Sequence, residues 1–220
     1  MQFKPTLLAL ALAAASTSAF ATGNISTLTL TGGTFQMWTA GNVAELGAVT
    51  YAVNPIFANT NLTTAYVGSG AQAASATNAA NSLIEMSFFS SAVNGYTAAS
   101  NLGTTATPAG SIAGGPLPNG TISGSNVTLD LSSFFANYNG NDFNQGTSAA
   151  AGTCTFTGNT CNYTVSWQST IVGGSFNGYV GHWTMQGTAV AAPVPEASTY
   201  GMMVVGLGLV GAAVMRRRKV

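Results

Sequence analysis

Tyr163-Thr164-Val165-Ser166-Trp167-Gln168 is the stretch that decides the fold. Large apolar residues stand at every second position, with small or polar residues between them. That period-two pattern belongs to a strand with one buried and one wet face, because successive side chains leave a strand on opposite sides. Fifteen or so residues later it returns, with Trp183 and Met185 alternating with Thr184 and Gln186 before Gly187-Thr188-Ala189-Val190. Upstream, Ile25-Ser-Thr-Leu-Thr-Leu-Thr, then Phe35, Met37 and Trp38, and later Val127-Thr-Leu-Asp-Leu repeat the signature. The steps Asn94-Gly95, Asn119-Gly120, Asn139-Gly140 and Asn177-Gly178 supply the residues that tight turns need. The expected fold is all-β: an antiparallel β-sandwich of jelly-roll or lectin-like type over residues 22–193. Within it, Ala71 to Ala92 is the one stretch with helical composition, and Gly103 to Gly120 reads as a long surface loop.

Charge narrows the functions open to such a domain. Charged residues make up 5% of the chain, against about a quarter in ordinary soluble proteins. All five bases, Lys4, Arg216, Arg217, Arg218 and Lys219, lie near the ends, and none stands between Thr22 and Pro195. The body carries Glu45, Glu85, Asp130, Asp142 and one histidine, His182, and is mildly acidic. Without Lys or Arg it has nothing to neutralise a phosphate backbone, which excludes nucleic acid as a partner. Docking on anionic lipid headgroups is excluded on the same ground.

Each end reads as an export segment. Lys4 precedes an apolar run from Leu7 to Ala15 and an Ala19-Phe20-Ala21 step. Together these form a secretory signal peptide over residues 1–21, too short in its apolar part to span a bilayer. At the other end, Val194-Pro195-Glu196-Ala197-Ser198-Thr199 leads into an uncharged segment from Tyr200 to Met215, then Arg216-Arg217-Arg218-Lys219. As a helix, 200–215 is about 24 Å long, and the arginines can snorkel to complete a single transmembrane span. The four bases hold their side in the cytoplasm, which leaves the body outside the inner membrane.

This ordered tail resembles the PEP-CTERM sorting signal of Gram-negative bacteria that make exopolysaccharide. Pro195 and Glu196 match the first two motif positions, and Ala197 stands where a second proline is usual. The resemblance implies an exosortase-type processing enzyme as partner, with Val194, Pro195 and Glu196 as the sorting motif. It also implies transient residence in the inner membrane, then the cell surface or an extracellular, biofilm-associated matrix.

Within the body, Cys154 and Cys161 bracket a Gly158-Asn159 turn and read as a disulfide stapling a hairpin. No further ligands stand near them, so no metal is expected there and no cofactor is implied. His182 is the only histidine and no Gly-x-Ser-x-Gly elbow is present, so a serine-type triad has little to draw on. The four body carboxylates would suffice for a glycosidase only if two converged. Asn137 to Asn144 is rich in oxygen ligands but offers a single carboxylate, Asp142, and reads first as an Asx-rich turn rather than a calcium loop. Trp38, Trp167 and Trp183 are candidate stacking faces for sugars, or else core fillers. The expected function is therefore a non-enzymatic matrix or surface protein. A carbohydrate-binding module of that matrix is the alternative, and a carbohydrate hydrolase stands behind both.

Overall fold

The computed structural model describes residues 23–55, 57–64, 82–97, 116–139, 141–192, 201 and 204–208. The signal peptide at 1–21, the sorting motif at 194–199 and the basic cluster at 216–219 lie outside them. Gly201 and residues 204–208 are helical and exposed. Among the described residues no helix is long and apolar enough to cross a membrane.

Eleven strands are described: β1 (Gly23–Trp38), β2 (Glu45–Val53), β3 (Ile84–Phe88), β4 (Ser91–Thr97), β5 (Asn119–Ser123), β6 (Asn126–Asp130), β7 (Phe134–Tyr138), β8 (Asn141–Asn144), β9 (Ala150–Thr157), β10 (Thr160–Thr170) and β11 (Val180–Ala191). They pair antiparallel throughout, in the order β11-β10-β9-β6-β5-β1-β2-β3-β4-β7-β8, with β11 also paired to β1. Six strands thus form a ring, which β5 closes on Gly23 and Asn24 of β1. The other half of β1, Gly32 to Trp38, carries β2 and through it β3, β4, β7 and β8. This second run folds over the first. Phe134 of β7 meets Trp167 and Trp183 edge-on at 5.9 and 5.0 Å, and Phe88 of β3 meets Phe35 at 5.3 Å. The two layers belong to one continuous sheet.

β1 shows how the sequence keeps its apolar side inward over 16 residues. Ile25, then Leu28 and Leu30, then Phe35 and Met37 are buried, so the buried positions switch from odd to even and back. Its pairing with β11 slips between Ile25 and Thr27 and again between Leu30 and Gly32. Each slip is a bulge that inserts one residue and flips the alternation. A regular strand of this sequence would send half of these side chains into water.

Two glycines let tyrosines close the same region. Gly33 pairs directly with Tyr51, and Gly187 with Tyr163. Each tyrosine lies over its glycine and donates to a carbonyl beyond it, Tyr51 to Thr184 at 2.7 Å and Tyr163 to Thr29 at 2.9 Å. Burial pushes both phenols well above the ordinary tyrosine range.

Cys154 and Cys161 are disulfide-bonded across the β9–β10 hairpin, Cα atoms 5.4 Å apart. In the chain-entropy picture so short a loop contributes about 2.5 kcal/mol. Gly158 turns that hairpin at φ 61°.

Three expectations change: Asn94 and Gly95, expected in a tight turn, lie inside β4 and pair with Glu85 and Ile84. The described part of the helix-like stretch, residues 82–92, contains β3 and the start of β4. Ile84, Met86 and Phe88 are buried while Glu85 and Ser87 are exposed, and that alternation outweighs the alanine content upstream. The loop expected to run to Gly120 ends earlier, because Asn119 and Gly120 already pair with Asp130 and Leu129. Residues 103–115 of it lie outside the described residues.

Candidate functional site

The N-terminal ends of β2 and β11 and the C-terminal ends of β1 and β10 gather at one pole, since Trp38 pairs with both Val180 and Glu45. There β1 turns into β2 through Gly41 and Asn42 at positive φ, closed by Thr39 N donating to the Ala44 carbonyl at 2.9 Å. This turn brings the Asn42 side chain to β11, where its Oδ1 lies 2.6 Å from His182 Nε2. The His182 ring also stacks on Trp38, 5.2 Å between centroids and 25° between planes. The contact ties one imidazole nitrogen to the Asn42 side-chain oxygen, and an imidazole can donate or accept a hydrogen bond at its ring nitrogens. Trp38 itself is half-buried, and its Nε1 is buried without a hydrogen-bond partner.

His182 sits between Gln36 of β1 and Gln168 of β10 in direct register, and the next outward row is Thr34, Thr184 and Ser166. Gln36, Ser166, Trp167, Gln168, His182 and Thr184 line a groove of about 380 Å³. No lining residue carries a formal carboxylate or ammonium group, so the groove's chemistry is that of amides, hydroxyls and one imidazole.

On the opposite face of β1 and β11 from this groove lies an aromatic mouth, since Phe35 and Trp183 line the crevice below it while their neighbours Gln36 and His182 line the groove. Phe89 and Ser90 form the two-residue turn of the β3–β4 hairpin, at φ 47° and 61°. That turn usually takes Asn-Gly, because a positive φ strains residues with a full side chain. Phe89 is 51% exposed and stacks on Phe176 at 5.9 Å, and Phe176 meets Tyr138 and Tyr179 edge-on. Beneath them is a small apolar crevice of about 50 Å³ between Phe88, Tyr138, Phe143 and Phe176.

The sequence candidates are distributed unevenly over this geometry. Of the three tryptophans only Trp38 reaches the surface. Trp167 and Trp183 are 7% and 1% exposed, stacked on one another at 6.2 Å in the core, and neither offers a face to a sugar. They are inward-facing positions of β10 and β11, and their indole nitrogens are satisfied inside by Gln145. The carboxylates are scattered and locally engaged: Glu85 accepts from Asn54 Nδ2, Asp130 accepts from both the Ser132 amide and its hydroxyl, and Glu45 is exposed. Neither crevice is lined by a carboxylate. Asp142 is buried, accepting from Asn137 Nδ2 at 2.7 Å within the same Asx-rich segment. Burial raises its carboxyl above the usual range, opposed by hydrogen bonding with Asn137 and Tyr96. Among the described residues no three His, Cys, Asp or Glu side chains cluster to hold a metal. Phe89, Phe176 and Asn42 were not singled out by the sequence: a Phe-Phe-Ser-Ser run carries no turn signal, and pairing of Asn42 with His182 depends on 140 residues of intervening chain.

Beyond the body, residues 193–219 match the family model described as the PEP-CTERM protein-sorting motif. The tail is a PEP-CTERM sorting signal. No curated protein and no solved structure matches the chain. The PEP-CTERM motif implies exosortase-dependent sorting of an exported protein, with the exosortase as processing partner. It starts just past the last strand residue, Ala191, and the Ala192 amide still donates to the Asn24 carbonyl at 2.7 Å. Both chain ends of the body therefore leave from one pole, and the PEP-CTERM segment follows the sheet without an intervening folded unit among the described residues. In the described part of the PEP-CTERM helix, Val204, Val205 and Leu207 are 69%, 57% and 63% exposed.

Proposed function

We propose that the chain is secreted through its signal peptide and held in the inner membrane by residues 200–215 with the body outside. An exosortase then cuts near Pro195 and Glu196, and the body remains at the cell surface or in an exopolysaccharide matrix as a non-enzymatic component. The observation that carries this is the position of the sorting signal: it begins where the sheet ends, so a cut there releases the whole folded body. The exposed apolar side chains at 204–208 support a membrane role for the tail, because soluble domains cover such rows. The scattered, locally bonded carboxylates support a non-enzymatic body. Two layers folded over a shared β1 support a lectin-like sandwich.

Fractionation tests it. Replacing Pro195 and Glu196 with alanine should trap the full-length chain in the membrane fraction, while the unaltered chain appears at the surface. Equal surface delivery of both would overturn the proposal.

A second reading, a sugar-binding module of the same matrix, is favoured by the groove at His182. The groove and the aromatic mouth lie at the pole away from the chain ends. β11 runs 12 residues between the two poles, roughly 35 Å at strand rise.

A further inference from the structure

The geometry points to an uncharged polysaccharide as the occupant of the groove, laid across the Gln36–His182–Gln168 row. This rests on the sugar-binding reading and adds its place and its glycan class.

Three observations carry it. The first is shape: three adjacent strands and two outward rows make a platform about 10 Å by 7 Å, sunk into a groove of about 380 Å³, within the size range of small-ligand sites. The second is complementarity. Sugar hydroxyls both donate and accept, and Gln36, Gln168, Ser166 and Thr184 do the same, while His182 adds an imidazole. The third is charge. An acidic glycan needs a cation opposite it, and the body has no Lys or Arg between Thr22 and Pro195.

An ordinary wet sheet face would share the residue types but not the fixation. The His182 ring is clamped between the Trp38 face and Asn42 Oδ1, so its orientation is set before a ligand arrives, and less freedom is lost on binding. Trp38 acts here through His182, on which it stacks, while the two core tryptophans contribute no face.

The test is binding of the full-length chain, purified in detergent, to a panel of dextran, galactomannan, β-glucan and polygalacturonate. Variants Gln168→Ala and His182→Ala probe the groove, Phe89→Ala probes the aromatic mouth, and Thr155→Ala, on the exposed side of β9, serves as control. Near-UV circular dichroism confirms each fold; should His182→Ala unfold, Gln168→Ala alone decides. The expected result is binding to at least one uncharged glycan, weakened about tenfold by each groove variant and unchanged by Thr155→Ala. Binding that survives both groove variants but is lost in Phe89→Ala overturns the location and leaves the sugar-binding reading standing. Binding to polygalacturonate alone overturns the glycan class. No binding to any of the four overturns the inference and the sugar-binding reading together.

Discussion

Gln145 Oε1 accepts a hydrogen bond from Trp183 Nε1 at 3.1 Å, while the Gln145 backbone carbonyl accepts from Trp167 Nε1 at 2.7 Å. One residue, on the segment between β8 and β9, thus satisfies both buried indoles, and its Nε2 donates to the Asn144 carbonyl at 2.9 Å. A buried donor without a partner costs about 1–3 kcal/mol. Gln145→Leu keeps the volume but removes the acceptor for Trp183 alone. Urea unfolding followed by tryptophan fluorescence should show a loss of about 1–3 kcal/mol, and an unchanged midpoint would contradict this role.

The paired glycines should resist the smallest enlargement. A Cβ at Gly33 would stand 1.9 Å from the Thr184 carbonyl oxygen, and one at Gly187 would stand 1.9 Å from that of Thr29. Both oxygens accept from the tyrosines that cover the glycines, so neither backbone nor ring can yield independently. Gly33→Ala and Gly187→Ala should each destabilise by about 1–3 kcal/mol or more. Gly124→Ala provides the contrast, since its Cβ would meet nothing within 4 Å and the cost there is the positive φ alone. Thermal melts of the three variants rank them.

Asp142 gives the body an identifiable pH dependence. Its folded pKa is raised, chiefly by burial, so the neutral form is favoured in the native state. The stability this provides is full below the ordinary carboxylate value, about 4, and is lost as pH rises through the folded value. Asp142→Asn should therefore flatten the melting temperature between mildly acidic and neutral pH, gaining on the unaltered chain as pH rises. A parallel pair of profiles would contradict it. At the alkaline end, Tyr51 and Tyr163, both raised by burial, make stability fall once pH exceeds about 10.

Much of the fold was legible because the deciding strands obey one rule. Tyr163, Val165, Trp167, Trp183 and Met185 alternate without interruption and are all buried. β1 was legible only in pieces: its bulges shift the phase, and a bulge is set by pairing with β11, some 150 residues away, not by local residue type. The helix-like stretch misled because alanine content is a local property, whereas Ile84, Met86 and Phe88 are held by β4 and the core. The disulfide was readable from its spacing. The site was mostly not, since His182, Asn42 and Gln168 meet only through the β1–β11–β10 register, and burial of Trp167 and Trp183 depends on which face that register turns inward. The sorting signal was the most readable feature, because a linear address is read by its partner in sequence order and needs no tertiary context.

The central claim is that the chain is exported and trimmed at its tail. Intact mass spectrometry of the protein recovered from the cell surface tests it most directly. The account predicts a species that starts at Thr22 and lacks Tyr200 to Val220. A surface species carrying the complete C-terminus through Val220 would contradict it.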